Sequence, residues 1–586
     1  MFKLKNILQL SALMFFVMSC DDYLETPPAD LMTSDGFYQT PSQSEQGVVG
    51  IYSDLRELAN SEYLLMSECR SDNAWTEPRP NGLRDFSEIS TFRATSDLAT
   101  FNSVWNTWYK VIYDANTAIA KIAGCNFESN DKIKKQFMGE VYFLRGWAYF
   151  ELSRLFGNVP IIDAPLSPSE VKKVPQSSAR EVLDNIVVPD LINAQTMLPL
   201  KENMVSANGT SIVLQGRADK MAAEAMLARV YMTLAGFPYY DSDAKILAKK
   251  QLEIVLNYSK SNQNKYWAPT LDEWRKQWMP STDYYNKYSI FAIQYRTGGT
   301  GNSALFNFSM ALPPSYTNRR IFGNEIYVEK SLMYEFDKIY SDGKKDGRGN
   351  GFSVLTGYEA EPNYPAYTNT KEKLILEDGS QVDVYTKSMF YKFMPSKRKI
   401  AELGMSLTPE VTMKDDNDWP VNLPILRLED MMLMYAELLV EEGKIMEAVA
   451  YVNDIRKRAG CDEVNTVSAA DALKLIKRER RIELMGEGVR WFDLVRWGEW
   501  QTEIQSLFDS YHNPDGTDKN NVKTGRYLYP IPLNQLNVTP GLYKGKFYQF
   551  NLSSCIRQQN SLTAQFVSFS LSNLANIFYP PQIYNN

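Results

Sequence analysis

Histidine is almost absent from this chain: among its 586 residues there is one, His512, in the stretch YHNPDG. Nucleophile–histidine catalysis and histidine-ligated zinc both need this side chain, so any such site would have to include a residue in a turn-like stretch. Cysteine is also scarce, with five residues far apart in the sequence. Their number and spacing argue against a disulfide-stabilised scaffold and against a cysteine metal site.

Positive charge is not in excess, since 63 Lys and Arg residues face 70 Asp and Glu residues for a net charge of -7. Proteins that bind nucleic acids need clustered basic residues to neutralise phosphates, so we expect no nucleic-acid partner. Long apolar runs are also missing once the first twenty residues are passed. The sequence beyond them therefore predicts no transmembrane helix.

The N-terminus has the pattern of a secretion signal. Lys3 and Lys5 precede a mostly apolar stretch at 7–17, which is too short for a permanent membrane span. The stretch leads into VMSC and ends at Cys20, as in a bacterial lipoprotein signal. We therefore expect a signal peptide at residues 1–19 and lipidation of Cys20, with several acyl chains giving stable anchoring. The alternative is an ordinary signal that happens to precede a cysteine.

Apolar residues recur every three or four positions over long stretches, which predicts amphipathic helices. The segment 132–156 has two such stripes, one with Phe137 and Val141 and the other with Phe143 and Trp147. A surface helix needs only one apolar stripe, so both faces of this helix should be buried, as happens in stacked helix pairs. A central helix of an unrelated bundle is the alternative.

Segment 428–460 predicts two helices joined at Gly443, and its length of about 33 residues matches a tetratricopeptide-like helix pair. The roughly 160 residues before it are instead rich in Tyr, Gly, Pro and Asn and contain the short strand candidates SIFAIQY and KLILEDGSQVDVYTKSMFYKFM. We predict a mainly α fold of stacked helix pairs, with a loop-rich part and a few short strands.

Several stretches, in this order, resemble the SusD/RagB family of outer-membrane nutrient-binding lipoproteins. They are SDNAW at 71–75, WNTWYKVIYDANTAIAKI at 105–122, GEVYFLRGWAYFELSRLFGNVPII at 139–162, AAEAMLARVYMTLAG at 222–236, LPILRLEDMMLMYAELL at 423–439, VNDIRKRAG at 452–460, ERRIELMGEGVRWFDLVRWG at 479–498 and YPIPLNQLNVTPGL at 529–542.

The resemblance implies a SusD-like fold with four tetratricopeptide-like helix pairs and a loop-rich part that carries the ligand site. It also implies a partner, a SusC-like TonB-dependent transporter on which the lipoprotein sits as a lid at the surface of Bacteroidetes-type cells. Such pairs capture oligosaccharides or, in the RagB branch, peptides. We expect an N-terminal region at 20–240 and a C-terminal region at 241–545 that form one compact unit, followed by an atypical tail at 546–586.

Sugar recognition uses flat aromatic rings for the C–H faces of the ligand and polar side chains for its hydroxyls. Trp75 follows Asp72 and Asn73 in an irregular stretch, and the resemblance places ligand contacts here and around the stretch PPSYTNRR. Trp274 and Trp278 lie in a second aromatic-rich stretch, although their spacing of one helical turn also fits core packing. The predicted ligand-binding residues are Asp72, Asn73, Trp75, Arg79, Trp274, Trp278, Tyr316 and Arg319.

The stretch ERRIEL contains Glu479 and Glu483 one helical turn apart, flanked by Arg480 and Arg481. Together with EGVRWFDLVRW it has the composition of a catalytic site, but we interpret both as structural ion pairs and Arg–Trp packing on amphipathic helices. We expect no cofactor. Calcium stays open, because KDDNDW and NPDGTD offer oxygen ligands without the EF-hand spacing.

The predicted function is therefore binding of oligosaccharides at the cell surface and their delivery to the transporter, without bond chemistry. Three alternatives stay open. They are a RagB-type peptide-binding lid, a glycosidase that uses two carboxylates, and a helical-repeat adaptor without a small ligand.

Overall fold

The computed structural model describes residues 37–76, 84–128, 130–212, 216–280, 287–295, 326–349, 351–356, 371–406, 421–510, 521–524 and 526–543. The first α-helices are α1 Pro41–Asp54, α2 Arg84–Ser90, α3 Ala99–Gly124, α4 Asp131–Phe156, α5 Pro168–Val171, α6 Ala179–Val182, α7 Val188–Met197, α8 Lys220–Ala235, α9 Ser242–Ser261 and α10 Leu271–Lys276. The later ones are α11 Lys330–Asp337, α12 Lys397–Glu402, α13 Leu428–Glu441, α14 Ile445–Arg458, α15 Ala469–Glu483, α16 Arg490–Arg496, α17 Trp500–Ser510, α18 Asn521–Thr524 and α19 Leu533–Val538. Segments Ala59–Glu68 and Leu183–Val187 are π-helical, and Leu55–Glu57 and Lys201–Asn203 are 3-10 turns.

The long helices pack as neighbouring pairs. Helix α3 packs on α4, α4 on α7, α7 on α8, α8 on α9, and α13 on α14, while α9 also contacts α13. The predicted mainly α fold of stacked helix pairs is confirmed. No described helix is long and apolar enough to cross a membrane.

Helix α4 shows why two apolar stripes were needed. Phe137, Phe143 and Trp147 are all fully buried, because α3 covers one side of α4 and α7 covers another. Full burial of each such side chain contributes about 1.5–3 kcal/mol. The helix begins at the N-cap Asn130, whose side chain accepts a hydrogen bond from Ile133 N.

Helix α4 ends at Gly157, whose φ of +77° lies in the left-handed region. A Cβ at this position would approach Leu528 Cδ1 to 2.7 Å, so glycine also provides the space for the C-terminal segment to pack here. The carbonyl of Leu155 accepts a hydrogen bond from Tyr529 N at 2.8 Å. The end of α4 therefore ties the C-terminal segment to the helix pairs.

The described strands are short and form two-stranded antiparallel pairs. They are β1 Ala74–Thr76 with β5 Ile326–Val328, β2 Val159–Pro160 with β3 Gln176–Ser177, β4 Ser289–Ile293 with β10 Leu423–Arg427, β6 Val354–Leu355 with β9 Met389–Phe390, and β7 Lys371–Ile375 with β8 Gln381–Tyr385. Both predicted strand stretches thus contain strands. One hydrophobic core runs through the described residues from Val48 to Tyr529.

Candidate ligand-binding site

Trp75 lies at the centre of β1, with its Cα opposite that of Tyr327 on β5. Strand β1 ends directly before residues 77–83, and β5 begins directly after residue 325. The pairing of these two strands therefore brings the residue before 77–83 next to the residue after 325.

The Trp75 indole is partly exposed and packs edge-on against Phe508 of α17, with ring centroids 5.9 Å apart. Behind this contact lies an aromatic cluster that includes Trp491, Trp500 and the partly exposed Phe92. A tryptophan supported from behind by other rings can offer a flat apolar surface to the C–H face of a sugar. We call Trp75 and this supporting cluster the aromatic platform.

Asp72 is buried three residues before Trp75 and does not point to an open surface. Arg490 donates two hydrogen bonds to its carboxylate, at 2.7 and 2.8 Å, and Arg481 lies 3.3 Å away. Burial alone would raise the pKa of Asp72, but the two guanidinium groups outweigh it and lower the pKa to about 2. Asp72 is thus an ionised partner inside the protein.

Asn73 is also fully buried. Its amide Nδ2 donates to Glu68 at 2.7 Å, and its Oδ1 accepts from Arg481 Nε at 3.0 Å. The sequence predicts that Asp72 and Asn73 contact the ligand. In the structure both side chains are buried and hydrogen-bonded to other residues of the protein, so they do not face a ligand. Both residues instead fix the start of β1 and so the position of Trp75.

Trp274 and Trp278 are fully buried, so the prediction that they are surface platforms is wrong for this structure. Trp274 Nε1 donates to Glu483 at 2.8 Å, and the two rings pack edge-on with centroids 5.8 Å apart. Lys392 Nζ lies 4.3 Å from the Trp278 ring centroid. Their spacing of one helical turn was the signal for core packing.

Three predicted ligand residues, Arg79, Tyr316 and Arg319, lie outside the described residues. The same holds for Cys20, the tail at 546–586 and the two stretches with candidate calcium ligands. Within the part of the chain that the structure describes, no group of three or more His, Cys, Asp or Glu side chains is placed to hold a metal ion.

The residues that support Trp75 were missed in the sequence. Phe92 follows a short helix and Phe508 lies near the end of α17, and neither position has a local pattern that indicates a site. Trp491 was assigned to packing, and its indole indeed lies in the core of the platform. Only the contacts between distant segments reveal that these three rings form one layer.

The Glu479–Glu483 pair is structural, as predicted. Arg348 Nη1 donates to both carboxylates, at 2.6 and 2.8 Å, and Arg427 and Arg458 also contact Glu483. Burial alone would raise the pKa of Glu483, but the three arginines lower it. A glycosidase acid needs a raised pKa, so this pair does not have the electrostatics of a catalytic dyad.

Glu62 and Glu151 form a second carboxyl pair, in which Glu151 is ion-paired with Arg154. Both residues are fully buried among the N-terminal helices. Burial, and next the charge of Glu151, raise the pKa of Glu62 well above its ordinary value. The Glu62 carboxyl accepts a hydrogen bond from Trp108 Nε1. Both carboxyls are inside the core and form no part of an open surface.

The described chain is therefore a helix-rich protein with an aromatic platform around Trp75. The family model described as SusD family matches residues 260–548, and the one described as starch-binding associating with outer membrane matches residues 22–232. A curated SusD-like protein of Formosa agariphila is 26% identical over 503 residues, covering 82% of this chain and 88% of its own. The chain belongs to the SusD-like family.

Solved structures share the fold. The SusD homologue of Bacteroides thetaiotaomicron has a TM-score of 0.68 at 19% identity, covering 88% of this chain and 98% of its own. A laminarin-binding SusD-like protein has a TM-score of 0.61 at 22% identity, covering 86% of this chain and all of its own (100%). The described fold is therefore the SusD-like fold.

Proposed function

We propose that this protein is a surface-exposed outer-membrane lipoprotein that binds oligosaccharides and delivers them to a SusC-like TonB-dependent transporter. The observation that carries the proposal is the aromatic platform, in which Trp75 is partly exposed and supported by Phe508. Family membership adds weight, since one similar solved structure is a laminarin-binding SusD-like protein.

The proposed role is binding without bond chemistry. Glu479 and Glu483 are neutralised by arginines, and the Glu62–Glu151 pair is fully buried. The pKa of Glu483 is lowered, and Glu62, whose pKa is raised, is not exposed, so neither has both the raised pKa and the access to substrate that the acid of a two-carboxylate glycosidase requires.

The proposed site consists of Trp75 with the flanking Arg79, Tyr316 and Arg319. Asp72 and Asn73 act from inside the fold, because they hold β1 in place through Arg490, Arg481 and Glu68. The ring would bind the C–H face of a sugar unit while neighbouring polar groups bind its hydroxyls. Lipidation of Cys20 would hold this site at the membrane.

Calorimetry with a panel of oligosaccharides, including laminarin fragments, tests the proposal on the chain from residue 21 onward. Product analysis is done on the same samples. Saturable binding without cleavage is expected and would name the sugar. Cleavage would favour the glycosidase, and binding of peptides in place of sugars would favour the RagB-type lid. Failure to bind either ligand would contradict the proposal.

The transporter is tested separately. Affinity purification of the full-length lipoprotein from detergent-solubilised outer membranes should recover a TonB-dependent transporter, identified by mass spectrometry. A preparation of the chain from residue 21 onward added to the same detergent extract shows whether recovery depends on the lipid. Recovery of no transporter in either case would contradict the delivery role.

A further inference from the structure

Arg70 is a buried cation whose hydrogen bonds go to backbone carbonyls. Its side chain donates from Nη1 to the Ile89 carbonyl and from Nη2 to the Arg526 carbonyl, both at 2.8 Å. Among the residues that the structure describes, no carboxylate lies within ion-pair distance of Arg70, and its Nε has no hydrogen-bond partner. Burial lowers the pKa of Arg70 to about 10, so it stays charged at neutral pH. A buried charge without a counter-ion is costly and needs another source of stabilisation.

Aromatic rings provide that stabilisation. The guanidinium carbon of Arg70 lies 3.5 Å from the ring centroid of Phe92, 5.0 Å from that of Tyr529 and 5.3 Å from that of Trp491. Ring faces attract cations most strongly where water is excluded. Arg70 lies between the π-helical segment Ala59–Glu68 and β1. Through two carbonyls and three rings it joins this part of the chain to helices α2 and α16 and to the segment 526–543.

Phe92 is the ring closest to Arg70, and its backbone is strained. Its φ of +59° lies in the left-handed region, which a bulky side chain adopts only at a cost in free energy. In this conformation the Phe92 ring stacks on Trp500 at 6.0 Å with an interplanar angle of 8° and contacts Phe508 edge-on at 6.3 Å. Phe508 in turn contacts Trp75. An unpaired cation and a strained residue thus meet directly behind the aromatic platform.

We propose that Arg70 is a positioning residue for ligand binding: through Phe92 and Phe508 it fixes the indole of Trp75 in the orientation that receives the sugar. This inference rests on the proposed function for the purpose of the platform. The buried charge of Arg70 and the strained backbone of Phe92 both cost free energy, so they persist only where the surrounding structure fixes them. Such strained positions are typical of ligand-binding sites that are preorganised. A preorganised ring loses less conformational freedom on binding.

The test follows the Trp75 ring itself by fluorine NMR of the chain labelled with 5-fluorotryptophan. The Trp75 signal is assigned as the one that disappears in Trp75→Phe. Arg70→Lys keeps a charge but cannot serve both carbonyls in the same way, so we expect the Trp75 signal to shift or broaden. We also expect the affinity for the sugar found by calorimetry to fall on the order of tenfold.

Arg217→Lys is the matched control. Arg217 is also a buried arginine beside an aromatic ring, 5.3 Å from the Phe137 centroid, but it pairs with Glu140 on helix α4. Its replacement should lower thermal stability and leave the Trp75 signal and the sugar affinity unchanged. Should Arg70→Lys fail to fold, Phe92→Asn interrupts the same path, because asparagine tolerates the left-handed conformation but has no ring.

A double-mutant cycle separates positioning from a general loss of stability. In the Trp75→Ala background, Arg70→Lys should weaken sugar binding no further, whereas additive losses would overturn the proposal. A lowered melting temperature with an unchanged Trp75 signal and unchanged affinity would also overturn it. If Trp75→Ala itself leaves affinity unchanged while Arg70→Lys moves the Trp75 signal, the sugar site at Trp75 fails, but positioning of the ring by Arg70 is supported.

Discussion

Arg490 holds Asp72 through two hydrogen bonds of 2.7 and 2.8 Å, although the two residues are 418 positions apart in the sequence. The pair connects the start of helix α16 to the residues just before β1. Because Trp75 follows three positions later, the C-terminal part of the chain determines where this ring lies.

Asp72→Asn should destabilise the protein by about 3–5 kcal/mol, because it leaves the buried Arg490 without its anionic partner. Chemical denaturation monitored by circular dichroism measures the change. Asp97→Asn is the control, since Asp97 pairs with Arg84 at 2.7 Å on the exposed surface and should have little effect. If both variants lost the same free energy of unfolding, burial of the Asp72–Arg490 pair would not determine its contribution to stability.

Trp75→Ala should leave the fold intact and weaken sugar binding by about 1–3 kcal/mol, as loss of a central aromatic residue often does. Calorimetry with the sugar identified from the panel measures the loss. Trp267→Ala is a suitable control, because Trp267 is also partly exposed but packs against Arg458, with the guanidinium carbon 4.4 Å from the ring centroid. Unchanged affinity in Trp75→Ala would remove this residue from the site.

Trp278→Ala should lower the stability of the protein and leave its sugar affinity unchanged, which is the reverse of Trp75→Ala. The side chain is fully buried, so its truncation should reduce the free energy of unfolding by about 3–5 kcal/mol. Sugar affinity, measured under conditions where the variant is folded, should not change. A loss of affinity without a loss of stability would restore Trp278 as a ligand contact and contradict its assignment to the core.

Glu62 should make stability depend on pH. Burial, together with the charge of Glu151, raises the folded pKa of Glu62 well above the ordinary 4.5, so the folded state holds the proton more tightly than the unfolded state. This contribution is complete below pH 4.5 and is lost as pH rises through the folded pKa, by about 1.4 kcal/mol for each pH unit between the two pKa values.

Glu62→Gln tests this, because the amide oxygen can still accept the hydrogen bond from Trp108 while no charge forms. Thermal unfolding of the parent and the variant is measured across a pH series. The parent should lose stability as pH rises above 4.5, whereas the variant should not, so the stability of the variant relative to the parent should increase with pH. Glu483→Gln is the contrasting control: its folded pKa is lowered, so the variant should lose stability at neutral pH. If the stability of Glu62→Gln and of the parent changed with pH in the same way, the prediction would be refuted.

Cys20→Ala should abolish membrane attachment, because the proposed lipid is attached to this cysteine. Fractionation of cells that express the full chain should find the parent in the outer membrane and the variant outside it. Labelling with a radioactive fatty acid should mark only the parent. A variant that is still labelled and membrane-bound would exclude Cys20 as the lipidation site.

Much of the fold was predictable because its helices are long and their apolar spacing is local information. The two stripes of α4, for example, correctly indicated burial on two sides. The spacing of Trp278 from Trp274 allowed for core packing, but the group over the Trp278 ring was not predictable from this stretch, since it is Lys392, more than a hundred positions later. The support of Trp75 depends on Phe92 and Phe508 together, and no window of sequence contains both.

The pairing of Asp72 with Arg490 also has a consequence for the order in which the protein becomes functional. During synthesis, all eight sequence-predicted ligand residues emerge before helices α16 and α17 exist. A chain that stops before these helices would contain each of those residues but neither Arg490 nor Phe508, so Trp75 would lack the ring contact with Phe508 and Asp72 would lack its ion pair with Arg490. The ability to bind sugar should therefore arise late in synthesis, when helices α16 and α17 pack against β1.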